Sequence, residues 1–254
     1  VTNYIGAYTL FTKEVVRFAK VYNQTILTPL ISSLLMLAVF ALSTKQHTVT
    51  IGHLSFIKFI TPGLIIMAAV QNAFANTSST LIISKVMGTI IDYLMPPISP
   101  AYMVLALALA GVIRGIAVGL VVALGLMVFV PLEIFNIFYL VYYTTVGSLI
   151  LSMLGILVGM ASETYDQVSA ITNYIINPLT FLSGTFYSIH NLPAAISKIC
   201  YINPFFYMVD GFRYSMTGYH DGSILIGSLV LATCAILISY VTCIAFKAGW
   251  CIKN

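Results

Sequence analysis

Long uncharged apolar runs alternate along this chain with short stretches that carry its few charges. Lys20 to Lys45, Lys58 to Lys85, Glu133 to Glu163, Asp166 to Lys198 and Asp221 to Lys247 each enclose 24 to 31 residues free of Asp, Glu, Lys and Arg. A helix crosses the ~30 Å hydrocarbon core of a bilayer with about 20 apolar residues, so the charges mark membrane boundaries. Runs such as Leu34-Leu35-Met36-Leu37-Ala38-Val39-Phe40 do not alternate, which excludes the strands of a barrel. In lipid that leaves helices, because unpaired backbone groups are too costly there.

The pattern predicts an all-α integral membrane protein with six transmembrane helices, at about 25–43, 59–81, 112–131, 134–160, 168–187 and 223–246. Pro29 and Pro62 fall near the starts of the first two, where proline is tolerated. Pro96-Pro97-Ile98-Ser99-Pro100 breaks the chain before a long helix of about 101–130 that contains the third span. That helix overshoots the hydrocarbon, so Arg114 is expected near a boundary, snorkelling to the head groups. Residues 1–23 differ from the rest. Tyr4, Tyr8, Phe11, Val15, Phe18 and Tyr22 recur at helical spacing and Lys13, Arg17 and Lys20 lie opposite them, the pattern of an amphipathic helix in the interface. Residues 24–250 then form the transmembrane domain.

Composition agrees: hydrophobic residues make up 60% and charged ones 7% of 254, with a mean hydropathy of +1.01, outside the range of soluble domains. The net charge of +4 is too diffuse for nucleic acid and suits acidic lipid head groups. The first apolar run follows a charged amphipathic stretch and lacks a small-residue cleavage site, so it is not read as a signal peptide. An even number of spans puts both termini on one side. Lys13, Arg17, Lys20, Lys85, Arg114, Lys247 and Lys253 share that side, against Lys45, Lys58, Lys198 and Arg213, which favours cytoplasmic termini. Cys200, Cys234, Cys243 and Cys251 form neither a metal-site spacing nor a disulfide framework.

Two kinds of residue stand out inside the spans. Gly111, Gly115, Gly119 and Ala123, and then Ser148, Ser152, Gly155, Gly159 and Ser162, make small-residue stripes that let helices approach closely, within one bundle or between subunits. The second span carries Gln71, Asn72, Asn76 and the run Thr77-Ser78-Ser79-Thr80. Such polar groups either bond between helices or line a wet path, with Gln71, Asn72 and Asn76 the candidate path residues. No Asp, Glu, His or Lys falls at a membrane midplane, which disfavours an ion-coupled carrier. No G-x-x-x-x-G-K-[ST] phosphate loop is present, nor a recognisable catalytic constellation. A permease driven by another subunit is the reading; a secondary carrier or channel without an ATPase partner is the alternative.

Residues 183–221 are too polar and proline-broken for a further full span. They suit two short helices forming a re-entrant outer segment, with Asp210 and Arg213 three apart and able to pair, and His190 and His220 as polar tips. Its string of Ser183-Gly184-Thr185-Phe186-Tyr187, Leu192-Pro193, Asn203-Pro204-Phe205-Phe206-Tyr207 and Gly211-Phe212-Arg213-Tyr214 resembles the C-terminal signature of ABC-2 type transport permeases, most of all the bacterial inner-membrane YadH-like permeases. Phe59-Ile60-Thr61-Pro62-Gly63-Leu64, Asn72-Ala73-Phe74-Ala75-Asn76, Gly111-Val112-Ile113-Arg114-Gly115 and Glu163-Thr164-Tyr165-Asp166 extend the likeness over nearly the whole chain. The resemblance implies the membrane-spanning subunit of an exporter in the bacterial inner membrane. It implies a homodimer served by a separate ATP-binding subunit that uses ATP and Mg, this chain binding no cofactor itself. It also implies that Glu14 and Lys85, Val86, Met87 and Asp92 meet that subunit. An aromatic outer gate of Phe181, Phe186, Tyr187, Phe205 and Tyr207 is expected on the opposite face, or else an aromatic belt. A lipid, glycan, drug or other amphiphile would fit such a path.

Overall fold

The computed structural model describes residues 4–44, 50–52 and 54–249. Helix α1 (Tyr4–Lys20) leads through a π-helical turn (Asn23–Leu27) into α2 (Thr28–Thr44). A two-residue hairpin, β1 (Thr50–Ile51) with β2 (Leu54–Ser55), pairs antiparallel and precedes α3 (Phe56–Val86), whose first turn is capped by Ser55. Then come α4 (Ile90–Leu94), α5 (Pro100–Met127), α6 (Ile137–Ala161) and α7 (Tyr165–Ile171). A second π-helical turn (Thr172–Ile176) joins α7 to α8 (Asn177–Phe181); a 3₁₀ turn (Ile189–Asn191), α9 (Ala194–Ile202), α10 (Pro204–Thr217) and α11 (Ile224–Ala248) complete the chain.

Among the described residues five helices are long and apolar enough to cross a membrane: Asn23–Ser43, Phe56–Val86, Pro100–Met127, Ile137–Ala161 and Ile224–Ala248. The expected sixth, 168–187, is instead the continuous helix 165–181, about 25 Å long, which stops where Gly184 takes a positive φ of 74°. The expected third span also moves. Its helix ends at Met127, so Pro131 lies beyond it.

The core is a tight sandwich of α3, α5 and α6, and the small-residue stripes explain why. A Cβ added at Gly115 on α5 would sit 2.9 Å from the Ala69 carbonyl oxygen of α3. One at Gly159 on α6 would sit 2.9 Å from Leu81 Cβ and 3.1 Å from the Ser78 carbonyl oxygen. Hydroxyls then bond across the bare backbones: Thr77 Oγ1 donates to the Ser152 carbonyl at 2.8 Å, and Ser152 Oγ to that of Ala108 at 3.0 Å. The stripes are therefore occupied within one chain. By contrast α2 and α11 leave large apolar side chains such as Leu35, Val39, Leu229 and Ile236 exposed.

At one end, α10 is clamped onto the start of α3. Arg213 is fully buried, donates to the carbonyls of Phe59 (3.1 Å) and Gly184 (2.6 Å), and stacks 3.8 Å over the Phe59 ring. The expected Asp210–Arg213 pair forms at 3.8 Å, while Asp210 accepts the backbone N–H groups of Asp221 and Gly222. Burial raises the Asp210 carboxyl above the usual range; Arg213 and the two N–H groups oppose that shift. His190 and His220 are exposed, as expected.

Candidate functional site: a polar cavity and its surroundings

A cavity of about 720 Å³ runs along α3 between the first span and the 165–181 helix. Its α4 end is lined by hydroxyls and amides, among them Gln24, Ser33, Gln71, Ser79 and Asn173; its α10 end by Met36, Leu64, Met67, Phe181 and Phe186. Among the described residues no charged side chain lines it.

Both flanking walls carry a π-helical turn, and each turn stops two residues before a proline: Asn23–Leu27 before Pro29, Thr172–Ile176 before Pro178. Proline has no N–H for the carbonyl four residues earlier and its ring crowds that position. Widening the preceding turn re-registers the ladder, and such π-bulges collect at functional sites. Thr-Pro and Asn-Pro within apolar runs were the sequence signal for these two turns.

The three expected path residues separate. Gln71 lines the cavity, and its amide makes no hydrogen bond among the described residues. Asn72 also lines it, but its amide is committed elsewhere: Nδ2 donates to the Ala68 carbonyl (3.0 Å) and Oδ1 accepts from Arg114 Nη2 (3.1 Å). Asn76 does not line the cavity. It is buried between α3 and α1, its carbonyl and Oδ1 accepting from Arg17 Nη2 at 3.1 and 3.2 Å.

Arg17 belongs to a knot around Glu14, which is fully buried. One Glu14 oxygen accepts from Arg17 Nε (2.9 Å) and Thr80 Oγ1 (2.7 Å), the other from Tyr93 Oη (3.0 Å). Arg17 also reaches Thr80, and Lys13 lies 4.2 Å from the Tyr93 ring centroid. Burial first, and the Glu14 charge second, raise the Tyr93 phenol, which keeps it a donor. The reading of Glu14 as a surface contact is thus corrected: its carboxylate joins α1, α3 and α4 internally. The wheel misled because α1 turns Leu10, Glu14 and Phe18 inward and leaves Tyr4, Tyr8 and Tyr22 exposed. Arg114 sits midway along α5 and half-buried.

Lys85 also faces inward, donating to the carbonyls of Met160 and Ser162 at the end of α6, where last-turn carbonyls lack helical partners. Beyond it Gly88 (φ 70°) turns the chain into α4. There Val86, Met87, Ile91 and Met95 are exposed apolar groups around exposed Asp92. The expected gate aromatics divide as well. Phe181 and Phe186 line the cavity mouth with ring centroids 6.0 Å apart, and Phe40, which the sequence reading missed, stacks on Phe186 at 5.2 Å. Tyr187 sits behind Phe181, donating to its carbonyl. Phe205 is buried in the core, and Tyr207 packs on Phe206 and donates to the Tyr201 carbonyl.

Residues 6–217 match the family model of the ABC-2 type transporter. The inner membrane transport permeases YadH of Escherichia coli strain K12 and of Shigella flexneri are each 29% identical over 218 residues, 86% of this chain and 85% of theirs. With the match spanning most of its length, the chain belongs to the ABC-2 type transporter family.

Proposed function

We propose that the chain is the permease subunit of an exporter in the bacterial inner membrane, moving an amphiphile through the cavity between the first span, α3 and the 165–181 helix. The observation that carries this reading is the cavity itself. Buried hydroxyls and amides are costly in lipid unless they face one another or water, and here they face an open space in a transport permease. Its uncharged lining suits a substrate whose buried part is uncharged. In this reading the 165–181 helix is the sixth span, helped across by the outer segment, and both termini are cytoplasmic. Phe181, Phe186 and Phe40 close the outer mouth.

ABC-2 permeases work with an ATP-binding subunit. We assign its docking to the exposed apolar surface of Val86, Met87, Ile91 and Met95, with Asp92 at the rim, in the helix-in-groove manner. That partner would use ATP and Mg, and two permease chains would share one transporter. Co-reconstitution with the ATP-binding subunit tests the proposal. Substrate-dependent ATPase activity is expected, and Asp92→Lys should abolish the stimulation while leaving membrane insertion intact. Substrate flux through this chain alone, without ATP, would instead favour a carrier or channel.

A further inference from the structure

Helix α5 carries one charged residue, Arg114, 14 residues from Pro100 and 13 from Met127. It sits midway along the helix, about 20 Å from either end at 1.5 Å per residue, and a charge within a spanning helix is expensive unless it is paired. Its Nη2 meets only the neutral Asn72 amide, and its Nε is enclosed without an acceptor. Among the described residues no carboxylate stands within ion-pair distance of it.

One turn further along α3, Asn76 takes the Arg17 guanidinium. Asn72 and Asn76 are four residues apart, so the two guanidinium groups meet α3 about one helical turn apart. They share one carboxylate, Glu14, which bonds only Arg17 of the two. One positive charge is left uncompensated in a low-dielectric crevice between α1, α3 and α5. Both arginines are only half-buried, so the crevice is reachable. It adjoins the cavity through Asn72, which lines that space, whereas no residue of α1 or α5 does.

We propose that Arg17 and Arg114 form an anion site for a phosphate-type group, carried by a lipid headgroup or free in solution. Guanidinium forks match the spacing of phosphate oxygens and bind them with charge-assisted hydrogen bonds. The anion would supply the charge that the chain does not, while the two asparagines hold the forks in place. The exposed apolar side chains of α1, Tyr4, Ile5, Tyr8 and Val16, set this crevice beside the acyl region of one leaflet.

The test uses the delipidated permease in micelles, native mass spectrometry and three probes: phosphatidylglycerol, diacylglycerol with the same acyl chains, and inorganic phosphate. Wild type should retain one phosphatidylglycerol in preference to diacylglycerol, and Arg114→Gln should weaken that retention about tenfold or more. Arg114→Lys keeps the charge without the fork and should recover part of it. Lys20→Gln, exposed at the end of α1, should change nothing. Competition by inorganic phosphate with the same Arg114 dependence would identify a free anion as ligand; no competition would identify the headgroup. Wild type carries the test even where Arg114→Gln fails to fold. No preference for an anionic over an uncharged probe, or retention unchanged in Arg114→Lys and Arg114→Gln alike, would overturn the proposal.

Discussion

Replacing Glu14 with alanine removes the acceptor that ties α1, α3 and α4 together. Stranding one member of a buried ion pair costs about 3–5 kcal/mol. Arg17 is not stranded, because it keeps the Asn76 carbonyl, Asn76 Oδ1 and Thr80 and its side chain is 31% exposed. Thr80 also keeps the Asn76 carbonyl as acceptor. The loss then falls mainly on Tyr93 and on the charge-assisted bonds, about 2–3 kcal/mol in all. For a chain of this size that corresponds to roughly 4–12 °C in Tm. The assay is heating in micelles followed by size-exclusion chromatography of the soluble fraction. Glu14→Gln keeps the shape and one acceptor and should recover most of the loss. Combining Glu14→Ala with Tyr93→Phe should cost less than the sum of the two, since contacting residues couple. A Glu14→Ala protein that melts with an exposed control such as Asp92→Ala would refute the knot.

Three further outcomes follow from the packing. Gly159→Val should lower thermal stability by about 1–3 kcal/mol, because its Cβ has only the backbone and Leu81 of α3 to displace. Pro178→Ala restores a backbone donor beside the second π-helical turn; helix tightening there should slow maleimide labelling of a cysteine placed at Asn173, and an unchanged rate would separate the turn from the proline. Arg213→Met removes the fully buried clamp between α10, Phe59 and Gly184, leaving Asp210 buried without its cation; proteolysis of residues 183–221 in intact vesicles should accelerate, and wild-type resistance would contradict the clamp.

Much of this architecture is legible in the sequence because bilayer physics restricts the choices. Charges bound the apolar runs, Pro96 to Pro100 stop the chain where α5 then begins, and the glycine stripes mark the α3–α5–α6 contacts. The Asp210–Arg213 spacing gave that ion pair directly. The misreadings have one cause: pattern reports amphipathicity but not which partner a polar group finds. The resemblance implied that Glu14 meets the ATP-binding subunit, yet Arg17, Thr80 and Tyr93 make its burial tolerable. The Asn72 partner of Arg114 was likewise not legible in the pattern. Gln71, Asn72 and Asn76 looked alike in sequence, but Asn76 takes Arg17 of α1, Asn72 takes Arg114 of α5 and Gln71 faces the cavity. The helix expected at 168–187 runs 165–181 instead, because the hydrophobic pattern does not register the turn at Gly184.

The central claim is that water-filled space runs beside α3 on its Gln71 face. In a protein with its native cysteines replaced, single cysteines at Gln71, Ser79 and Leu124, exposed on the outside of α5, can be labelled in membrane vesicles with a small water-soluble maleimide. The account predicts rapid labelling at 71 and 79 and none at 124. Cysteines at 71 and 79 as inert as the one at 124 would contradict it.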